Sequence, residues 1–262
     1  MELNEQAARL EPDELEVLAA EYRLRQVPST DRTFSIPFAD LVDQDKVAAY
    51  LAGVKGIFGT SSETAAASLF AKRYAYLTVA AALYAMSRLN KGLDYTLENG
   101  WIESVYDKQL WLPEGRLMDW RVIEPAPGQR SGWRERVLGQ LFAGNVSLVW
   151  RALAKTARIS KSVLWENTAT IVYALYEKNY PEGATPEQLE RIRDDYRYLL
   201  QEAPGHLFGE KRNPFQQFNT PKRVTAVSDD LIRVRTTCCL KYVVSDKPDS
   251  YCRTCPKRHH GR

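Results

Sequence analysis

The chain has 262 residues, 44% of them hydrophobic and 26% charged, a balance that excludes a disordered or membrane-embedded class and supplies enough apolar side chain for one large or two modest cores. The net charge of +3 is uneven, because from Gly205 to Arg262 twelve Lys or Arg stand against five Asp or Glu. Met1-Glu2-Leu3-Asn4-Glu5 lacks the basic and apolar regions of a signal peptide, and the uncharged stretch from Tyr74 to Ser87 is shorter than the roughly 20 residues that span a bilayer, so a cytoplasmic protein with reduced thiols is expected.

Glu11-Pro12-Asp13-Glu14 puts proline and carboxylates in a first helical turn, and Leu15, Leu18 and Tyr22 follow at helical spacing. The prolines between Val27-Pro28 and Ile36-Pro37 favour an extended connection. Val47, Tyr50, Leu51 and Val54 predict a second short helix closed by Gly53 and Gly56. Thr60-Ser61-Ser62-Glu63 has the form of a capping box, and Leu69, Phe70, Tyr74, Leu77, Ala81 and Tyr84 predict a long helix that stops near Gly92. Lys72 and Arg73 on this helix either face a ligand or, as is usual for such side chains, read as solvated surface.

From Leu93 to Glu124 the helical period disappears. Thr96-Leu97, Trp101-Ile102, Val105-Tyr106, Trp111-Leu112 and Arg121-Val122-Ile123 predict a small antiparallel sheet, with Trp101, Trp111 and Trp120 packing on the helices or walling a ligand. Pro125-Ala126-Pro127-Gly128 reads as a linker. Beyond it, three apolar stripes predict an antiparallel bundle: Val137 to Leu153, Leu164 to Leu175, and Leu189 to Leu199, the last opened by the capping box of Thr185 and Gln188. Asn145 and Asn167 fall on the inward faces, where each needs a buried partner. Asn213 to Asn219 reads as a loop fixed by Phe215 and Phe218, and Leu231 to Arg235 alternates like a strand, with Arg233 and Arg235 on one face. The expected fold is thus α+β and predominantly α-helical. Its parts are an α+β region (1–124), a helical bundle (125–204) and a basic segment (205–262).

All four cysteines lie in that basic segment, as the adjacent pair Cys238-Cys239 and the hook Cys252-Arg253-Thr254-Cys255. A disulfide framework suits small secreted chains and fits poorly here. Two adjacent cysteines point in different directions in any regular conformation, which suits one mononuclear ion less easily than a cluster with two metal atoms. An iron–sulfur centre, a zinc site and redox-active or inert thiols all remain open on these residues alone. His259 and His260 are further zinc ligands in principle, although their position favours exposure. No phosphate loop, dinucleotide fingerprint or hydrolase triad is present, and the basic segment lacks the aromatic interleaving of a nucleic-acid surface.

The adjacent Cys-Cys, a spacer with a basic residue and an aromatic, and the closing Cys-x-x-Cys-Pro resemble the FhuF-like ferric-siderophore reductases. Overall length, helical content and the Leu-Trp-x-Asn of Leu164 to Asn167 extend the resemblance more weakly. The resemblance implies a [2Fe–2S] cluster on Cys238, Cys239, Cys252 and Cys255. It implies one-electron reduction of the ferric ion in a hydroxamate or citrate-hydroxamate siderophore, with release of iron in the cytoplasm. A separate cytoplasmic electron donor, and peripheral contact with the inner membrane surface or a siderophore importer, follow on the same ground. Arg130, Arg134, Arg233 and Arg235 are the expected contacts to an anionic substrate, since a guanidinium stays charged and bonds oxygen bidentately. The rival reading is a zinc-stabilised, non-enzymatic module that docks on nucleic acid or a protein.

Overall fold

A computed structural model describes residues 6–245 and 250–259; His260 and the spacer residues 246–249 lie outside the described residues. The first helix, Pro12–Tyr22, begins where expected, with the Glu14 carboxylate accepting from the Glu11 N–H at 2.8 Å. The second, Gln44–Ile57, runs through Gly53 and does not close there. Apolar Val47, Leu51 and Val54 carry it into the core on either side of the glycine, and a Cβ at position 53 would stand 2.9 Å from the Phe34 ring.

A long helix over 63–89 is the axis of the molecule. Ser62 caps it, and Thr60 does not: Ser62 Oγ accepts from the Ala65 N–H at 3.2 Å, while Thr60 Oγ1 accepts from the Ser62 N–H in the turn before. Its composition explains its position, because the many alanines let neighbouring elements approach closely, and from Ala65 to Ser87 nearly every side chain is buried. Two turns, Tyr76–Ala80 and Ala85–Leu89, open to π-helical bonding, and Asn90 ends the helix in the left-handed region at φ 58°.

Two small sheets flank one end of this helix. The four-stranded one has the order Leu24–Arg25, Glu114–Leu117, Gly100–Glu103, Ile36–Pro37, and its first pair is parallel, so the sheet is mixed and not wholly antiparallel. The three-stranded one is antiparallel, Gln6–Ala8 and Gly92–Leu93 on either side of Val122–Glu124. Thr96-Leu97 is a loop, because Asp94 and Asn99 turn the chain there through bonds to the Thr96 N–H and to the carbonyls of Asp94 and Asp119. Trp111 is buried against Phe34 and Phe58, and Trp101 lies under the Arg32 and Arg116 guanidiniums, so both work as packing. Beneath Trp101, the Glu103 carboxylate is fully enclosed by Ser29, Arg32, Ser35 and Arg116.

The helix Arg130–Ala157 and the helices over 161–179 and 186–202 pack beside the axis, and one continuous buried cluster runs from Leu18 to Phe218. Arg130–Ala157 is long and apolar enough to cross a membrane by length and composition, yet most of it is buried inside the protein, which identifies it as a core helix. The two inward asparagines do not meet. Asn145 takes a bond from the Tyr74 hydroxyl and gives one to the Tyr95 carbonyl at 2.7 Å; Asn167 bonds Ser68 on the axis. Phe215 and Phe218 fix the 213–219 loop as expected, with the Phe215 ring against Phe142, Trp165 and Phe208. A hairpin of Arg223–Thr225 and Ser228–Ile232 leads into the cysteine segment. Its second strand stops at Ile232, short of the expected Arg235, because Arg233 and Arg235 turn to partners on the helix over 161–179.

Candidate metal centre

The cysteine segment is held on the body by a buried carboxylate. Glu166, on the helix over 161–179, accepts from the backbone N–H groups of Thr236 and Thr237 at 2.6 and 2.7 Å, and from both threonine hydroxyls. The Arg235 guanidinium, also buried, stands 3.5 Å from the same carboxylate and donates to Asn167 Oδ1 at 2.8 Å. Asn167 in turn donates to Ser68, whose hydroxyl donates to the Cys239 carbonyl at 2.8 Å. A single polar chain therefore runs from the bundle through the axis to the first cysteine pair. Each buried charge in it has an opposite charge and several hydrogen bonds, the condition under which such groups are tolerated inside a protein.

Leu240 occupies the left-handed region at φ 61° and turns the chain just after the adjacent cysteines. Cys238 Sγ lies 3.8 Å from Cys255 Sγ, while Cys239 shares a thiol–thiol hydrogen bond with Cys252. Each hook thus gives one sulfur to each of two pairs. The Arg235 N–H donates to the Thr254 carbonyl at 2.9 Å, the Cys255 N–H closes a turn on the Cys252 carbonyl, and the Tyr242 and Tyr251 rings meet with centroids 5.2 Å apart. Backbone N–H groups face the sulfurs: Leu240 to Cys238 at 3.5 Å, with Lys241 to Cys239 and Lys257 to Cys255. Such donors stabilise thiolates.

The four thiols differ in acidity. The bond from Cys252, helped by the Lys72 ammonium, lowers the Cys239 thiol well below its ordinary range. Giving that bond, and burial, push Cys252 up, and burial pushes up Cys255. Lys72 was expected at the solvated surface; it bonds the Cys239 sulfur because the cysteine segment packs on its face of the axis helix. Among the described residues no three His, Cys, Asp or Glu side chains stand together as a set for one ion. The donors nevertheless fit a two-metal, four-thiolate centre: four soft ligands in two cross-hook pairs, with N–H donors already turned to the sulfurs. His259 faces away, with Nε2 2.6 Å from the Arg253 carbonyl.

Each of the four arginines expected at the substrate has an acidic partner. Arg130 and Arg134 converge on Asp195, and Arg134 also meets Asp194. Arg233 lies over the Tyr173 ring, 2.8 Å from Glu177, and Arg235 is the buried partner of Glu166. Arg233 and Arg235 do flank the cysteine segment and share a cavity of about 310 Å³, whereas Arg130 and Arg134 stand together elsewhere in the bundle. Sequence reasoning passed over Glu166 and Ser68 and placed Lys72 at the surface, although Glu166 is the variable position of the Leu-Trp-x-Asn stretch.

In comparison with known proteins, the family described as ferric iron reductase FhuF-like transporter matches residues 68–226, a stretch that begins at Ser68, includes Glu166 and Asn167, and ends before the cysteines. No curated protein matches the chain. Among solved structures, the ATP-bound aerobactin synthetase IucA from a hypervirulent pathotype of Klebsiella pneumoniae shares the fold, with a TM-score of 0.54 and 13% identity over 78% of this chain. The chain spans 46% of the length of that synthetase.

Proposed function

Because the chain belongs to the FhuF-like ferric iron reductase family, we propose that it reduces siderophore-bound iron(III) to iron(II) by one electron in the cytoplasm, taking that electron from a separate reduced donor. The observation that carries this reading is the arrangement of the four cysteine sulfurs in two cross-hook pairs. Cys238, Cys239, Cys252 and Cys255 are the thiolates that would hold a [2Fe–2S] cluster, and such a cluster supplies an acceptor and donor of single electrons.

The chain's own residues do the rest. Glu166 and Arg235 hold the backbone of Thr236 and Thr237 and so set the position of Cys238 and Cys239. Ser68 fixes the peptide after Cys239. The N–H groups of Leu240, Lys241 and Lys257, with the Lys72 ammonium, offset negative charge on sulfur, which raises a reduction potential relative to bare thiolates. Hard anionic oxygen ligands grip the ferric ion far more strongly than the ferrous ion, so the electron itself loosens the chelate. With their charges already balanced, Arg130, Arg134, Arg233 and Arg235 act in this reading as structural ion pairs. The substrate is a hydroxamate or citrate-hydroxamate chelate.

The test is an absorption and electron paramagnetic resonance spectrum of anaerobically purified protein before and after dithionite. The reduced protein is then mixed with a ferric chelate and a colorimetric trap for iron(II). A red-brown protein, a spin-one-half signal on reduction and trapped iron(II) are expected. A colourless protein with stoichiometric zinc would favour the zinc-stabilised binding module and end the reductase reading.

A further inference from the structure

Beside the thiols, three cations converge without a carboxylate. Lys72 and Arg73, neighbours on the axis helix, and Arg23, just past the end of the first helix, line one cleft with Tyr76, Leu112 and Pro113. Among the described residues none of the three has an Asp or Glu within ion-pair distance, Lys72 having the Cys239 sulfur as its partner, whereas Arg130, Arg134 and Arg233 each have a carboxylate. Arg73 is half-buried, bonded only to carbonyls of Leu69 and Trp111 at 3.4 Å and laid over the Phe58 ring at 4.6 Å. Burial and the neighbouring Arg23 charge both act against its protonated form. Arg23 ends the first helix as its left-handed C-cap, its N–H bonded to the Leu18 carbonyl, and its guanidinium lies 5.8 Å from the Tyr76 ring centroid. Two guanidiniums that repel each other in a partly desolvated cleft are what a bound anion would relieve.

We propose that this cleft is the docking site for the anionic oxygens of the ferric chelate, an inference that rests on the reductase reading above. Lys72 lines the cleft and bonds the Cys239 sulfur, so a chelate seated there lies against the thiol site. The geometry matches the chemistry. Two guanidinium forks bind hydroxamate or carboxylate oxygens bidentately, and Tyr76, Leu112 and Pro113 cover the apolar arms. The cavity holds about 220 Å³. That is below the roughly 300–1,000 Å³ of sites that enclose a small molecule, so it grips one face of a bulky chelate and leaves the remainder in solvent, as suits a substrate that needs only to be touched by an electron carrier.

The experiment separates docking from reduction by using the gallium(III) complex of an anionic citrate-hydroxamate chelator, which has the shape and charge of the ferric complex and cannot be reduced. Titration calorimetry should show binding to the wild type that weakens about tenfold or more in Arg23→Gln and in Arg73→Gln. Arg23→Lys, which keeps the charge and loses the fork, should bind between wild type and Arg23→Gln, and Lys155→Gln, on an exposed helix face, should change nothing. Unaltered thiol content and helicity in each variant certify the fold. Raising ionic strength from about 0.01 to about 1 M, which shortens the screening length from about 30 to 3 Å, should weaken the anionic complex far more than a neutral trihydroxamate one. Gallium binding that is absent in the wild type, or equal in wild type and Arg23→Gln, overturns the cleft even where ferric reduction is intact. A wild type that binds gallium through Arg23 and never reduces the ferric complex rejects the reductase reading and leaves the cleft standing.

Discussion

The helical body and the cysteine segment are built on different forces. In the body, the axis helix over 63–89 is enclosed on nearly every side, and its neighbours contribute a single apolar cluster from Leu18 to Phe218. Along the described part of 233–259, by contrast, only Arg235, Cys239, Cys255 and Pro256 are buried, and attachment comes from Glu166, Asn167, Ser68 and a few backbone bonds. Apolar burial is spread over dozens of side chains and is insensitive to any one of them, whereas a polar anchorage concentrates in the group that accepts the most bonds. The segment should therefore be detachable by one substitution that leaves the body folded.

The largest effect should come from Glu166→Ala. It removes the acceptor of two backbone N–H groups and two hydroxyls and leaves Arg235 buried without its partner, a loss of about 3–5 kcal/mol at the anchorage. Limited proteolysis should then cut within 233–259, and on the proposed cluster reading the absorbance should vanish, while far-ultraviolet helicity persists. Parallel loss of helicity would show that the two regions fold as one. Next in size is replacement of any single cysteine by serine: the harder oxygen poorly replaces thiolate, so the proposed cluster should be lost or labile with the thermal midpoint of the body nearly unchanged.

A third prediction acts on the body alone. Glu103 is fully enclosed, and although burial works to raise its pKa, bonds from Arg116, Ser29 and Arg32 outweigh that and hold it at about 2, below the ordinary glutamate value. A depressed carboxylate adds stability that is fully present above the unfolded value near 4.3 and disappears as pH falls through about 2. Acid titration of the unfolding free energy should thus show a loss between about pH 4.5 and 2 that Glu103→Gln largely abolishes. Retention of the full slope in the variant would assign it to other carboxylates.

How much of this was legible in the sequence follows from the same contrast. The helices were readable because apolar period is local: the stripes of 130–157 and 161–179 contain their own evidence. The errors fell where a neighbour distant in sequence decides. Thr60 satisfies the capping pattern, but Ser62 stands at the turn where the chain enters the axis. The strand at Leu231 ends at Ile232 because Glu177 and Asn167, far earlier in the chain, draw off Arg233 and Arg235. Four cysteines confined to one segment announce a centre by their rarity. Glu166 and Lys72 could not be picked out the same way, since a lone glutamate or lysine on a helix is ordinarily at the surface and the partners of Glu166 lie some 70 residues away.

The smallest effect concerns the brace between the two cysteine hooks. The Tyr242 ring packs on Tyr251, and its hydroxyl accepts from the Lys257 ammonium at 2.7 Å, with that ammonium also 4.1 Å from the ring centroid. Tyr242→Phe keeps both ring contacts and removes only an exposed hydrogen bond, and exposed bonds to charged groups contribute little because water and salt compete for them. Alkylation of the four thiols in metal-free protein, followed by mass spectrometry, should therefore speed up by less than about threefold. Tyr242→Ala, which removes the ring contact as well, should speed it severalfold more, and most at Cys252, the neighbour of Tyr251. Equal rates in the two variants would place the hydroxyl, and not the ring, at the centre of the brace, and would extend polar control of this segment to its outermost contact.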